Sequence, residues 1–278
     1  MDGEDLPGHP GPPDYRRRDT TADGPTVARL YNAYLDSEGT DAVDHEAADD
    51  LLRRAPDLKP VARANREFLA RAVGYLAGEP GIDQFVDLGT GLPTHPNVHQ
   101  VARERRPQAR VVYVDNDPAV FERGRTVLDD GERTAMIQAD IRRPWTVIDD
   151  PRTRLLIDWS RPVAVLMSSV LHFLTSPEPI VAAFREVMTP GSHLVISHAT
   201  DTTSRADGVM EIQRLYRSAG LTVEIRPRRR IEGLFSGLAL VAPGLVPASY
   251  WRPEAEIPPE QQGDRVWMLA GVARVRDG

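Results

Sequence analysis

The segment from Phe85 to Thr94, FVDLGTGLPT, places Asp87 just ahead of two glycines, Gly89 and Gly91, at the end of a short apolar run. Glycines there turn a strand into a following helix and let a ligand approach bare backbone. A dinucleotide-binding loop wants a third glycine where Thr94 stands, and Pro93 removes an N–H that a pyrophosphate would use. A ligand without phosphates fits this loop better. A second apolar run ends Val114, Asp115, Asn116, with Asp115 lying 24 residues beyond Gly91. That is near the separation of roughly 20 expected of a carboxylate that bonds both hydroxyls of a ribose. A third run ends Ala139, Asp140, Ile141, where Asp140 is placed to accept from an adenine amino group and a backbone N–H to meet the ring. A single aspartate at a strand end is commonly a cap or turn former. Three in this order and spacing point to a nucleoside-shaped ligand.

Histidine supplies the remaining candidate chemistry. A fourth apolar run, 163–169, closes on Ser168 and leads to His172, which is placed either to act as a general base toward an oxygen or nitrogen nucleophile or to bond a backbone carbonyl beneath the ligand. His95 and His99 stand four apart, but the helix glutamate of a zinc protease is missing and no third ligand is evident, so no metal is expected. No Gly-x-Ser-x-Gly elbow is present, which leaves a hydrolase without its nucleophile.

Five short apolar runs, at 84–87, 110–115, 135–140, 163–169 and 193–198, lack clean alternation, as strands buried on both faces should. Helical patterns separate them at 97–106, 118–128 and 180–188. Alternation of this kind predicts an α/β fold with a doubly wound, mostly parallel sheet. Further strands are expected at 238–241 and 266–275, making seven, with helices at 207–218 and 231–235. The first 80 residues supply helices only, at 27–35, 47–54 and 61–76. Residues 1–24, rich in proline and glycine, carry almost nothing apolar to bury and read as a disordered tail. The organisation expected is thus a tail, an N-terminal helical lid over 25–80, and an α/β ligand-binding domain over 81–278. Tyr31, Asn65 and Arg66 are nominated to face the site from the helices.

Composition excludes several chemistries. The 278 residues contain no cysteine, so thiolate catalysis, disulfides and cysteine-ligated metals are out. Lys59 is the only lysine among 34 basic residues and stands before Pro60, upstream of every glycine loop. It suits neither a phosphate-binding loop nor a Schiff base. A net charge of −7 disfavours a nucleic-acid partner. No apolar run is long enough to span a membrane, and the first residues lack the pattern of a secretory signal, so a cytoplasmic protein with a small-molecule substrate is expected.

This arrangement resembles the class I S-adenosylmethionine-dependent methyltransferases, and more closely one bacterial family long catalogued as a domain of unknown function. The phrases that carry the likeness are the segment from Asp87 to Thr94 with Asn97, Val98 and His99, then Val-Val-Tyr-Val-Asp-Asn-Asp-Pro at 111–118. They continue with Ala-Asn-Arg-Glu-Phe at 64–68, Gly-Leu-Ala-Leu-Val-Ala-Pro-Gly-Leu-Val at 237–246, and Trp251, Arg252, Pro253. The resemblance runs from about residue 25 to 275 and implies S-adenosylmethionine as cofactor. It implies that Gly89 and Gly91 let the backbone approach the methionine and ribose portion, that Asp115 holds the ribose, that Asp140 with Ile141 holds the adenine, and that Asp87 and Asn116 also contact the cofactor. Ser168, Tyr31, Asn65 and Arg66 complete the implied contacts. One departure is visible: the family's Leu-Gly-Gly-Lys-Asp-Asn-Phe-like phrase is replaced at 35–42 by LDSEGTDA, without its lysine and asparagine. Two function classes stay open, a methyltransferase acting on a small molecule and a protein that binds S-adenosylmethionine or NAD without methyl transfer.

Overall fold

The computed structural model describes residues 26–35, 42–202, 206–218 and 220–276. The expected tail at 1–24, and most of the departing phrase, lie outside the described residues.

Five parallel strands, β1 (Gln84–Leu88), β2 (Arg110–Asp115), β3 (Thr134–Gln138), β4 (Ala164–Ser168) and β5 (His193–Ala199), lie in the order β3-β2-β1-β4-β5. β1 through β5 are nearly continuous buried runs, and their alternation decides only which side of the sheet each residue serves. Phe85, Val111 and Tyr113 join one apolar cluster, while Val86, Val112 and Val114 join the other.

Beyond β5 the sheet turns antiparallel. Two short strands, β6 (Ala239–Leu240) and β7 (Val246–Pro247), both pair with β8 (Met268–Arg274), which itself pairs with β5. Among the described residues the sheet has eight strands, the seven expected and the two-residue β7. The single strand read at 238–241 stops because Pro243 has no N–H for a ladder and Gly244, at φ +89°, turns the chain. Pairing then resumes at Val246.

On one side of the sheet lie α1 (Val27–Tyr34), α2 (Ala42–Arg54) and α3 (Leu58–Gly78), with α4 (Val98–Arg105) packed beside α3. α2 begins five residues before the periodicity indicated. The 21-residue α3 places Ala64, Phe68, Ala72, Val73 and Leu76 at helical spacing in the apolar core. The Trp251 phrase docks here: its indole meets the Phe68 ring edge-on at 5.5 Å, and Arg71 donates to the carbonyls of Trp251 (2.9 Å) and Ala248 (2.8 Å). Arg252 lies 3.9 Å over the ring of Tyr75.

The remaining helices are α5 (Pro118–Val127), α6 (Pro144–Ile148), α7 (Pro151–Leu156), α8 (Glu178–Val187), α9 (Ala206–Ser218) and α10 (Arg228–Gly233). α6 and α7 gave no periodic signal because each is under two turns long. Each starts with proline at its first position, where the missing N–H has no intrahelical partner to lose. No described helix is long and apolar enough to cross a membrane.

Phe68 is fully buried between α3 and Trp251, so Phe68→Ala leaves a void that neither the helix nor the indole can fill. The expected loss is about 3–5 kcal/mol of stability, read from urea unfolding followed by tryptophan fluorescence. A loss under about 1 kcal/mol would show that the N-terminal helices are not part of the cooperative unit.

Candidate functional site

Strand order reverses at β1, between β2 and β4, which opens a crevice beyond the carboxyl ends of those strands. The β1 end is pinned there by its own turn. Gly89 and Thr90 donate to the Val114 carbonyl at 2.8 and 3.0 Å, and Gly89 and Gly91 have φ of +69° and +67°. A Cβ on Gly89 would run into the side chain of Val170, whereas one on Gly91 would meet nothing within 4 Å. Gly89 is thus required by packing as well as by φ, and Gly91 presents open backbone.

Asp115 closes the other side of this turn. One carboxylate oxygen accepts from the Gly91 N–H at 2.9 Å and the other from the Asp117 N–H at 3.0 Å. Asp87 is buried at the end of β1 and accepts from the Thr90 hydroxyl at 2.8 Å. Burial pushes the Asp87 carboxyl up to about 6, against the Thr90 bond and the nearby positive charge of Arg66, and the charge of Asp115 adds to the rise. Burial also raises Asp115, with its backbone donors acting in the opposite sense. Asn116 is exposed beside it.

Asp140 sits at the end of β3 under different electrostatics. Arg142 binds both its oxygens through Nε, at 2.9 and 2.8 Å, and its backbone N–H adds a third bond at 2.9 Å. Partial burial works against the charge, but these bonds outweigh it and hold the carboxyl below the usual range. Ile141 beside it is buried.

Three of the nominated polar residues meet in one network. Asn65 Oδ1 accepts from the hydroxyls of Ser197 (2.5 Å) and Ser168 (3.3 Å), and its Nδ2 donates to the Tyr31 hydroxyl at 2.8 Å. Tyr31 in turn donates to the Ala62 carbonyl at 3.1 Å. The Ser197 hydroxyl also accepts from the Ser169 N–H at 2.9 Å, holding Ser169 at φ +55°. Arg66 does not join this network. Its guanidinium donates to the carbonyls of Thr94 and Pro96, which ties the loop after Gly91 to α3.

His172 lies in a single 3-10 turn, 171–173, after β4. It is buried, its Nδ1 faces the Ala199 N–H at 3.5 Å, and its ring centre is 5.4 Å from that of His198. Burial, then His198 and Arg226, push it well below the ordinary histidine range, so the ring is neutral at physiological pH. Arg226 anchors this turn. It donates to the carbonyls of Leu171 (3.3 Å), Leu174 (2.6 Å) and Thr175 (3.0 Å) and to His198 Nε2 (2.9 Å). Next to this turn, at the ends of β4 and β5, lies a partly open cavity walled by Tyr31 and Tyr34 from α1, His172, Phe173, Tyr216 from α9, and Trp267.

His95 and His99 do not converge. His95 Nδ1 bonds Gln100 at 3.2 Å and His99 Nδ1 bonds the Tyr113 hydroxyl at 2.8 Å. Among the described residues no group of three histidine or acidic side chains is arranged to hold a metal.

The family model described as S-adenosyl methyltransferase matches residues 14–276. The chain belongs to that family. A solved candidate methyltransferase from Thermobifida fusca is 38% identical with a TM-score of 0.86, covering 91% of this chain and 96% of that one. A DUF574 family protein from Streptomyces avermitilis is 35% identical, also at 0.86, covering 90% and 97%. An O-methyltransferase family protein from Burkholderia thailandensis, 17% identical at a TM-score of 0.51 over 84% of this chain and 62% of that one, shares the fold alone. No curated protein matches the sequence.

For this S-adenosyl methyltransferase family member, sequence reasoning did not single out Ser197, Tyr34, Tyr216 or Arg226. Ser197 left one trace, a hydroxyl inside the otherwise apolar core of β5. Tyr34 and Tyr216 lie 182 residues apart, and nothing local announces that their hydroxyls meet at 3.1 Å.

The Asp87 carboxyl yields a prediction with a definite sign. Its pKa is raised on folding from 3.8 to about 6, so its contribution to stability is full below pH 4 and is lost as pH rises through 6. Asp87→Asn has no proton to lose. Between pH 4 and pH 7 the variant should gain on the order of 2 kcal/mol relative to the parent, measured by urea unfolding at both pH values. A difference that does not change with pH would mean Asp87 ionises freely in the folded protein.

Proposed function

We propose that the strand-end crevice binds S-adenosylmethionine and that the adjoining cavity holds a small-molecule acceptor for its methyl group. The observation that carries this reading is the clip between the Gly91 N–H and the Asp115 carboxylate, which shapes an open backbone notch beside two buried acids and next to an apolar chamber. The residues fit the group. Gly91 leaves space at the notch, and a cationic ammonium or sulfonium offsets the cost of keeping Asp87 and Asp115 out of water.

In this reading Gly89 and Gly91 admit the methionine and ribose portion, with Asp87 facing its ammonium end. Asp115 with Asn116 holds the ribose. Asp140 with Ile141 borders the adenine, Asp140 sharing its carboxylate with Arg142. Ser168, Asn65 and Tyr31 form the wall between crevice and cavity, and Arg66 sets the loop at 94–96. Bound S-adenosylmethionine supplies a methyl group already joined to a good leaving group, so the protein's task is alignment and exclusion of water. Tyr31 and Tyr34 place α1 across the cavity as its cover, the lid function proposed for the N-terminal helices. His172, neutral and facing the cavity, orients the acceptor or takes its proton.

Calorimetry with S-adenosylhomocysteine and with NAD tests the proposal. S-adenosylhomocysteine should bind and NAD should not, because Pro93 and Thr94 stand where a pyrophosphate needs an N–H and a glycine. Asp115→Ala should weaken S-adenosylhomocysteine by about 2–3 kcal/mol while circular dichroism reports an intact fold. Tight NAD binding with no response to S-adenosylhomocysteine would overturn the reading.

A further inference from the structure

The chamber at the ends of β4 and β5 has a character that narrows what it can hold. Among the described residues none that lines it is charged. Leu58, Val61, Ile212, Val223, Ile225 and Met268 supply most of its aliphatic wall, the aromatic rings named above face them, and Ser169 is the one aliphatic hydroxyl among the described lining residues. An ion brought here loses its hydration and finds no counter-charge on the wall, a penalty of several kcal/mol. Flat rings, by contrast, gain both burial and edge or face contacts with the aromatics.

The wall also carries polar hydrogens in excess of the acceptors available to them. The hydroxyls of Tyr34 and Tyr216 lie 3.1 Å apart and bring two hydrogens to one bond. The second hydrogen has no acceptor among the described residues. Burial raises both phenols, Tyr216 to about 12, so neither ionises near neutral pH. His172 repeats the pattern. Its Nδ1 faces a backbone N–H, which leaves the ring hydrogen on Nε2, and no described residue accepts it. A wall with spare donors favours a ligand that brings lone pairs.

We infer that this cavity takes an uncharged, planar, largely apolar molecule that presents hydrogen-bond-accepting oxygen, of the chemistry of a hydroxylated aromatic, and excludes carboxylates, phosphates and ammonium ions. Identifying that molecule as the methyl acceptor rests on the proposed function, while the preference for a neutral aromatic rests on the cavity alone. Arg226 does not line the chamber and its terminal nitrogens are hydrogen-bonded to carbonyls and His198, so it offers an anion there no direct ion pair, although its charge is felt at His172.

The test uses the full chain and two probes that share one ring system, 1-naphthol and 1-naphthoate, titrated by calorimetry at pH 7 with and without S-adenosylhomocysteine. 1-Naphthol should bind at least about ten-fold tighter than 1-naphthoate under both conditions. Equal or tighter binding of 1-naphthoate, or no binding of either probe, overturns the inference. Location is tested with Ile225→Arg and Phe173→Arg, two partly buried wall positions on different segments. Each folded variant should lose about ten-fold or more in affinity for 1-naphthol. Parental affinity in either folded variant places the probe elsewhere and overturns the inference, and should neither variant fold, the 1-naphthol to 1-naphthoate ratio in the parent decides it. Failure of S-adenosylhomocysteine to bind counts against the proposed function only, because the probe ratio is read in its absence as well.

Discussion

Two carboxylates, Asp87 and Asp115, are held almost wholly out of water at neighbouring strand ends, and much of the surrounding architecture makes that burial tolerable. Asp115 is satisfied by two backbone N–H groups, one from the glycine turn and one from the start of α5. Asp87 has the Thr90 hydroxyl and the charge of Arg66 in its vicinity but no salt bridge among the described residues, and burial keeps its proton to about pH 6. A buried acid left without a cation is costly to the fold. Such cost is expected where a cationic ligand completes the site.

The turn that carries these acids is positioned from outside as well as from within. Arg66 on α3 grips the carbonyls of the following loop, and the Thr94 hydroxyl donates to Asn32 on α1 at 3.2 Å. Asn65, one residue before Arg66, reaches the opposite way to Ser168 and Ser197. Consecutive residues on α3 therefore hold the β1 loop and the ends of β4 and β5 in one frame. α3 itself is fixed by Phe68 against Trp251 and by Arg71 on the backbone at 248–251. A change in helix packing would be transmitted directly to the crevice.

Arg226 performs the corresponding task on the cavity side. A guanidinium with four hydrogen-bonded acceptors described above replaces the water that three carbonyls of the 171–175 turn would otherwise need. Its approach to His198 Nε2 fixes the tautomer of that ring, whose Nδ1 donates to the Ala199 carbonyl at 2.7 Å. The neutrality of His172 is thus built from burial and from two cationic or potentially cationic neighbours on other elements.

The sequence by itself determined the parallel core, the glycine pair Gly89 and Gly91 after β1 and the strand-end aspartates, because each follows from local rules. Runs buried on both faces dictate central parallel strands, and a glycine pair after such a run dictates a tight turn. The resemblance to methyltransferases rested on two of these segments together with the phrases at 64–68, 237–246 and 251–253. Where local signal was thin, elements were missed: α6 and α7 are too short for periodicity, and the two-residue β7 lies beyond Pro243 and Gly244, after the strand expected at 238–241 has ended. Only the tertiary structure decided how Asn65 and Arg66 divide their roles, that Arg142 holds Asp140, and that Tyr34, Tyr216 and His172 wall a common uncharged chamber. These depend on the directions of side chains from elements far apart in sequence, and no period or motif along one chain encodes the distance between them.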